Sequence, residues 1–249
     1  MKPWFNFKNI NSRDKGLSIL KLPPRIKPEI RGEMITIPGR DGFLFESEDA
    51  YNGKTLEIEC TFLPPDNKTP QQIDTMIKEI LVWLDGDGKL IFSDYPDYYY
   101  DAKVINAIPI ERLFKRYRRF MLAFEVQPFA KSNNVITENI VAGSTQNVVV
   151  STHLNITSYY KVKPILTLTG EGNIDISINN NIIHLSNLDR KIIIDTEMMN
   201  CVDEEGDNMN SYMTGDFPTL EPGDNEFLIT PLSNASFVSL KVEYRSLWL

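Results

Sequence analysis

Hydrophobic and polar positions alternate along most of this chain, and a helical period surfaces only once. In Leu56-Glu57-Ile58-Glu59-Cys60-Thr61-Phe62 every second residue is apolar, the period of a strand with one buried face. Cys60 falls on that apolar face and reads as a small core residue. Phe120, Leu122, Phe124 and Val126 repeat the arrangement in a strand over Tyr117 to Val126, which Pro128 ends. Lys89-Leu90-Ile91-Phe92 is a short strand, followed by a polar and aromatic loop from Ser93 to Tyr100, an extended segment from Ala102 to Ala107, and a turn around Ile108-Pro109-Ile110. By contrast, Ile73, Met76, Ile77, Ile80, Leu81 and Leu84 recur at helical steps, which predicts one amphipathic helix over 70–84. Thr69 caps it, Pro70 takes the first position and Gln72 the third, completing a capping box. Asp85-Gly86-Asp87-Gly88 stops it.

Two apolar stretches, Met34-Ile35-Thr36-Ile37 and Phe43-Leu44-Phe45, flank Pro38-Gly39-Arg40-Asp41-Gly42. Proline pre-sets one backbone angle and glycine supplies positive φ, so the chain doubles back there. Arg40 and Asp41 sit at the tip, where they can pair with each other or with a neighbouring subunit; a solvated turn is the plainer alternative.

After the polar segment Ala130-Lys131-Ser132-Asn133-Asn134 the helical signal disappears, which marks a boundary between domains at 1–131 and 132–249. Short strands then follow at intervals of roughly ten residues, the spacing of a sandwich or jelly roll: Val148 to Val150, Ile165 to Leu168, Ile174 to Ile178, Ile182 to Leu185, Ile192 to Asp195, Phe227 to Ile229 and Phe237 to Tyr244. Ile178-Asn179-Asn180-Asn181-Ile182 reads as a hairpin tip, Gly170-Glu171-Gly172-Asn173 as a turn between two strands, and Thr196 to Pro218 as an acidic surface loop. The fold class is therefore mainly β: a β-rich α+β N-terminal domain with one main helix, followed by a β-sandwich domain.

Composition narrows the function. A formal net charge of -8 over 249 residues opposes a specific nucleic-acid role, which needs clustered cations. No run approaches the ~18 apolar residues of a membrane span, and the N-terminus lacks a signal peptide, so the chain is expected to stay in the cytoplasm where it is made. Cys60 and Cys201 are too far apart in sequence to imply a disulfide framework or zinc cluster.

The search for chemistry finds little. His153 and His184 lack Cys or Glu at ligand spacing, and His184 points to solvent on a strand. Asp203-Glu204-Glu205-Gly206-Asp207 is acidic but departs from the calcium-loop pattern. Asp94, Asp97 and Asp101 are interleaved with tyrosines on one loop and strand, so nothing opposes two carboxylates across a cleft. Tyr95, Tyr98 and Tyr99 are better read as interface aromatics than as sugar-stacking rings. The basic run Arg112, Lys115, Arg116, Arg118 and Arg119 suits either phosphate or, more simply, a charged face. Neither a nucleophile elbow nor a phosphate loop occurs. We expect no catalytic residue, metal or cofactor, and a protein that is not an enzyme.

The order of elements is itself informative. Asn11 with Gly16-Leu17, the turn from Ile37 to Gly42, the strand Leu56 to Phe62, the helix end Leu81-Val82-Trp83-Leu84, Leu90 to Tyr99, and Phe120 to Pro128 occur in sequence. In the second half come Pro164 to Gly170, Ile192 to Glu197, and Phe217 to Asn225. In this order the chain resembles the distal tail proteins of long, non-contractile-tailed bacteriophages. That resemblance implies a ring-forming, tail-tube-like first domain and a galectin-like sandwich second. It further implies a homohexamer at the tail tip of the virion, joining the major tail tube protein to a tail-associated lysin or hub, with the tape measure and a receptor-binding protein as further partners and no membrane. Some relatives carry inserted carbohydrate-binding modules, for which the second half here is too short. The alternative function is a module recognising host cell-wall saccharide through Tyr159, Tyr160 and Tyr212.

Overall fold

The computed structural model describes residues 3–108, 118–142 and 148–249. Contacts divide the chain into two compact units, Met1–Lys131 and Ser132–Trp248. In the first lie β1 (Phe5–Phe7), β2 (Ile10–Asn11), β3 (Leu17–Lys21), β4 (Ile30–Ile35), β5 (Leu44–Tyr51), β6 (Lys54–Phe62), α1 (Pro70–Leu84), β7 (Asp87–Phe92), β8 (Tyr98–Val104) and β9 (Arg118–Val126). β10 (Ala130–Ser132) spans the boundary. The main sheet runs β2-β1-β7-β8-β9-β6-β3.

Antiparallel β6 and β9 set Ile58 opposite Leu122 and Leu56 opposite Phe124, and the alternation buries Leu56, Ile58, Cys60, Leu122 and Phe124. α1 is the helix the periodicity predicts. The Thr69 hydroxyl accepts from the Gln72 amide at 3.3 Å while the Gln72 side chain accepts from the Thr69 amide at 3.0 Å. Its buried residues Ile80, Trp83 and Leu84 join the core of the sheet. Trp83 stacks on Phe5 with centroids 5.7 Å apart and rings 3° from parallel, and its Nε1 donates to the Phe7 carbonyl at 2.9 Å. Phe124 meets Phe5 and Phe7 edge-on at 5.8 and 5.3 Å. Each fully buried aromatic contributes roughly 1.5–3 kcal/mol by removal from water.

β8 starts earlier than the sequence suggests: Tyr98, Tyr99 and Tyr100 belong to the strand, not the loop. Tyrosine favours the pleated, half-buried surface, and the strand begins as soon as the Pro96-Asp97 turn ends.

The second unit contains β11 (Ile136–Val141), β12 (Val150–Ile156), β13 (Ile165–Ile178), β14 (Asn181–Leu188), β15 (Lys191–Asp195), β16 (Asn200–Val202), β17 (Met213–Thr214), β18 (Gly223–Pro231) and β19 (Ser236–Tyr244), with β20 (Leu247–Trp248) at its end. One sheet is β11-β19-β13-β15-β16 and the other β12-β18-β13-β14-β17. Both inner faces meet in one core that includes Leu166, Leu168, Ile176, Phe227, Leu240 and Val242. The asparagine tip is a two-residue hairpin loop, with Asn179 and Asn180 at φ 49° and 67°, as a type I′ turn requires.

Two expectations fail here. Gly170-Glu171-Gly172-Asn173 is no turn, because β13 continues through it and passes from one sheet into the other. Register shifts fall at Thr169/Gly170 and at Gly172/Ile174. A Cβ on Gly170 would lie 2.6 Å from the Ser236 carbonyl, and Gly172 has φ 85°; the glycines let the strand bend under close backbone contact. Thr196 to Pro218 is no plain loop either, since β16, a short helix (Asn210–Tyr212) and β17 lie within it. Cys201 is fully buried there, and its amide donates to the Asn210 side chain at 2.6 Å.

Candidate functional site

β4 and β5 form a sheet of their own, a hairpin arm outside the main sheet of the first unit. Ile30 faces Tyr51, Met34 faces Phe45 and Ile35 faces Leu44. Side chains alternate between faces along a strand, so the Met34/Phe45 and Ile35/Leu44 pairs give the outer half of the arm two apolar faces. Both are open: Met34 is 68% and Phe43 59% exposed, and Ile30, Ile35, Ile37, Leu44 and Phe45 are exposed as well. Nearer the root, Arg31 pairs with Glu48 at 3.7 Å. The pairing register shifts between Arg31 and Gly32, and Gly32 is obligatory there because a Cβ would meet the Glu46 carbonyl at 2.2 Å.

At the tip, Gly39 and Gly42 take φ 79° and 85°, and the Arg40 amide donates to the Ile37 carbonyl at 3.2 Å. Arg40 and Asp41 are exposed, and no ion pair joins them among the described residues. The turn presents both side chains to solvent.

The tyrosines separate. Tyr95 and Tyr98 are half-buried in two successive turns, Tyr95 N–H to the Phe92 carbonyl at 3.1 Å and Tyr98 N–H to the Tyr95 carbonyl at 3.2 Å. The Arg25 guanidinium donates to the Tyr95 hydroxyl and lies 4.5 Å from its ring centroid. Tyr99, expected at an interface, is instead buried at 5% exposure, with Lys89 Nζ 4.2 Å from its ring. It lies on the strand face of Asp101 and Lys103, opposite to Tyr100, Ala102 and Val104, which join the core, so its ring is covered without belonging to that core. Behind Tyr95, burial pushes the Tyr100 hydroxyl up to about 12, against the opposing pull of Arg25.

Lys54 sits beside these rings. Its Nζ donates to the Ile26 carbonyl at 3.0 Å, and burial lowers its pKa to about 8. The sequence carried the signal, because Lys54 is in phase with Leu56, Ile58 and Cys60. It went unread because lysine is so seldom inward-facing.

Other titratable groups do not gather. His153 Nδ1 lies 2.9 Å from Asp224 and His184 Nδ1 2.9 Å from Asp175, on different strand pairs. Cys60 and Cys201 are free, and burial raises their thiols to about 12 and 11. Such thiols stay protonated and unreactive at neutral pH. Among the described residues no group of acidic, histidine or cysteine side chains could hold a metal, and no helix is long and apolar enough to cross a membrane. Most of the basic run, 112–117, lies outside the described residues; Arg119 pairs with Glu59 across the strands at 3.8 Å.

Residues 10–126 match the model of a family described as the phage tail protein RIFT-related domain. Among solved structures, the crystal structure of the SPP1 Dit protein, described as a paradigm of the hub adsorption apparatus in phages infecting Gram-positive hosts, aligns over 100% of both chains with a TM-score of 0.77 at 16% identity. The activated, strontium-bound baseplate of phage p2 aligns over 97% of both chains with a TM-score of 0.45 at 9% identity. No curated protein matches the sequence.

Proposed function

We propose that this chain, whose residues 10–126 match the phage tail protein RIFT-related domain and whose fold is similar to that of the SPP1 Dit protein, is a phage tail protein that assembles as a hexameric ring at the tail tip, joining the tail tube to a hub or tail-associated lysin. The observation that carries the ring is the β4–β5 arm. An isolated two-stranded hairpin is marginal in water, and contiguous exposed apolar surface marks a contact site. Two apolar faces on one projecting arm suit insertion against neighbouring copies, with Arg40 and Asp41 meeting those copies at the tip. Tyr95 and Tyr98 are the remaining aromatic contacts of the first unit. The ring, its tail-tube and hub neighbours, and assembly in the host cytoplasm belong to this reading together.

Light scattering and electron microscopy of the purified protein test it: rings of six copies are expected. Phe43→Ser with Phe45→Ser is expected to leave a folded monomer. A wild-type protein that stays monomeric at high concentration and beside its tail partners overturns the ring.

A second reading, recognition of cell-wall saccharide by the second unit, rests on Tyr159, which is 75% exposed and free to stack on a sugar ring. Retention on purified cell walls that Tyr159→Ala abolishes supports it, and absence of retention sinks it.

A further inference from the structure

Lys54 follows the arm and Arg25 precedes it, so the two cations flank the segment that departs from the main sheet of the first unit. Between them is a cavity of about 90 Å³, bordered by Pro23, Pro24, Arg25, Lys54, Tyr95 and Tyr100. A water needs about 10–15 Å³ on this measure, so there is room for several waters or one small acid group. Lys54 is only 7% exposed. Its compensation is the Ile26 carbonyl and the face of Tyr100, whose centroid is 5.0 Å from Nζ. Burial is the one influence acting on its titration, and no carboxylate of the described residues pairs with it. Asp94 also borders the cavity, but its hydrogen bond is with Ser93, at 3.3 Å.

A buried ammonium without a counter-ion is costly, and a carboxylate offsets that cost best. The walls suit one. Two prolines fix the backbone on one side, and the Arg25 guanidinium is already held in place on the Tyr95 ring.

We propose that this cavity is a carboxylate-binding site, in which Lys54 and Arg25 receive an acidic side chain of a neighbouring copy that packs against the arm. The chain is rich in such groups, with 34 Asp and Glu against 26 Lys and Arg. The source of the acid rests on the ring reading; the site itself does not.

The test uses sodium acetate as the probe, replacing chloride at constant ionic strength, with thermal unfolding of the protomer as readout. Acetate is expected to raise the wild-type midpoint saturably, and Lys54→Met to need at least about tenfold more acetate, given the strength of a hydrogen bond between charged groups. Equal responses to acetate and chloride, or equal responses of the two proteins, overturn the site. Should Lys54→Met not fold, the Lys54 ε-methylene NMR signal of the wild type decides. Its titration midpoint near 8 moves up with acetate if the site is real and stays put if it is not. In assembled rings acetate is expected to lose its effect, because a neighbour already fills the cavity. Rings that still respond overturn the neighbour as source, whereas protomers that respond and never assemble overturn the ring and leave the site standing.

Discussion

Met34 faces Phe45 across β4 and β5 much as Ile58 faces Leu122 across β6 and β9, yet the first pair stands in solvent and the second is sealed. The two ladders share chemistry and pairing geometry. They differ in what packs on them: β6 and β9 share a core with Ile80, Trp83 and Leu84 of α1 and with Phe5 and Phe7 of the same sheet, while β4 and β5 form a sheet alone. Alternation thus specifies a strand and its faces, and burial needs another layer that the arm does not find in its own unit. The apolar side chains of β6 and β9 stabilise the protomer; those of the arm are available to hold protomers together.

Four substitutions probe this difference, in descending order of effect on protomer stability. Phe124→Ala, inside the covered ladder, is expected to cost about 3–5 kcal/mol in equilibrium denaturation; a loss no larger than that of a surface mutation would break the comparison at its stronger end. Asn225→Ala carries the logic to a buried polar position of the second unit. That side chain accepts from Asn179 Nδ2 at 2.7 Å and Glu221 N–H at 2.9 Å and donates to the Glu221 and Gly223 carbonyls at 2.8 and 2.9 Å. Leaving those groups unpaired is expected to cost about 1–3 kcal/mol by the same measurement. Thr69→Ala removes half of the capping box and should lower stability by about 1 kcal/mol, read by equilibrium denaturation. Met34→Ser is expected to change protomer stability by less than about 0.5 kcal/mol while weakening assembly in light scattering. If it destabilises the monomer as Phe124→Ala does, the arm is packed against its own chain and the comparison fails.

α1 was legible because its signals are local: cap, proline and period all fall between Thr69 and Leu84. The arm's turn and the Asn179-Asn180 loop were legible for the same reason. β13 was misread because Gly170 and Gly172 resemble a turn until the Ser236 and Ala235 backbones that crowd them are known, and those lie on a strand more than sixty residues away. The short strand β17 owes its existence to pairing with the distant β14, which no local window contains, whereas β16 pairs with nearby β15 in a hairpin whose short strands carry too little alternation to be read. Tyr98, Tyr99 and Tyr100 were read as loop because the strand they open follows directly on Pro96-Asp97. The exposure of the arm's apolar end was not legible, since Met34-Ile35 and Phe43-Leu44-Phe45 read as buried positions until it is known that no second layer covers them.

β13 carries a further consequence. A single stretch of chain serves as a rung in both sheets, pairing with β15 and β19 at one end and with β14 and β18 at the other. Neither sheet can melt and leave its neighbour whole, because the same backbone would have to be released from both. Amide protons on either side of the Gly170 bend therefore exchange with solvent only through one shared opening, with a common free energy. Mechanically the sandwich behaves as one piece: a pull on β12 or β11, at the opposite ends of the two sheets, is resisted by the same strand.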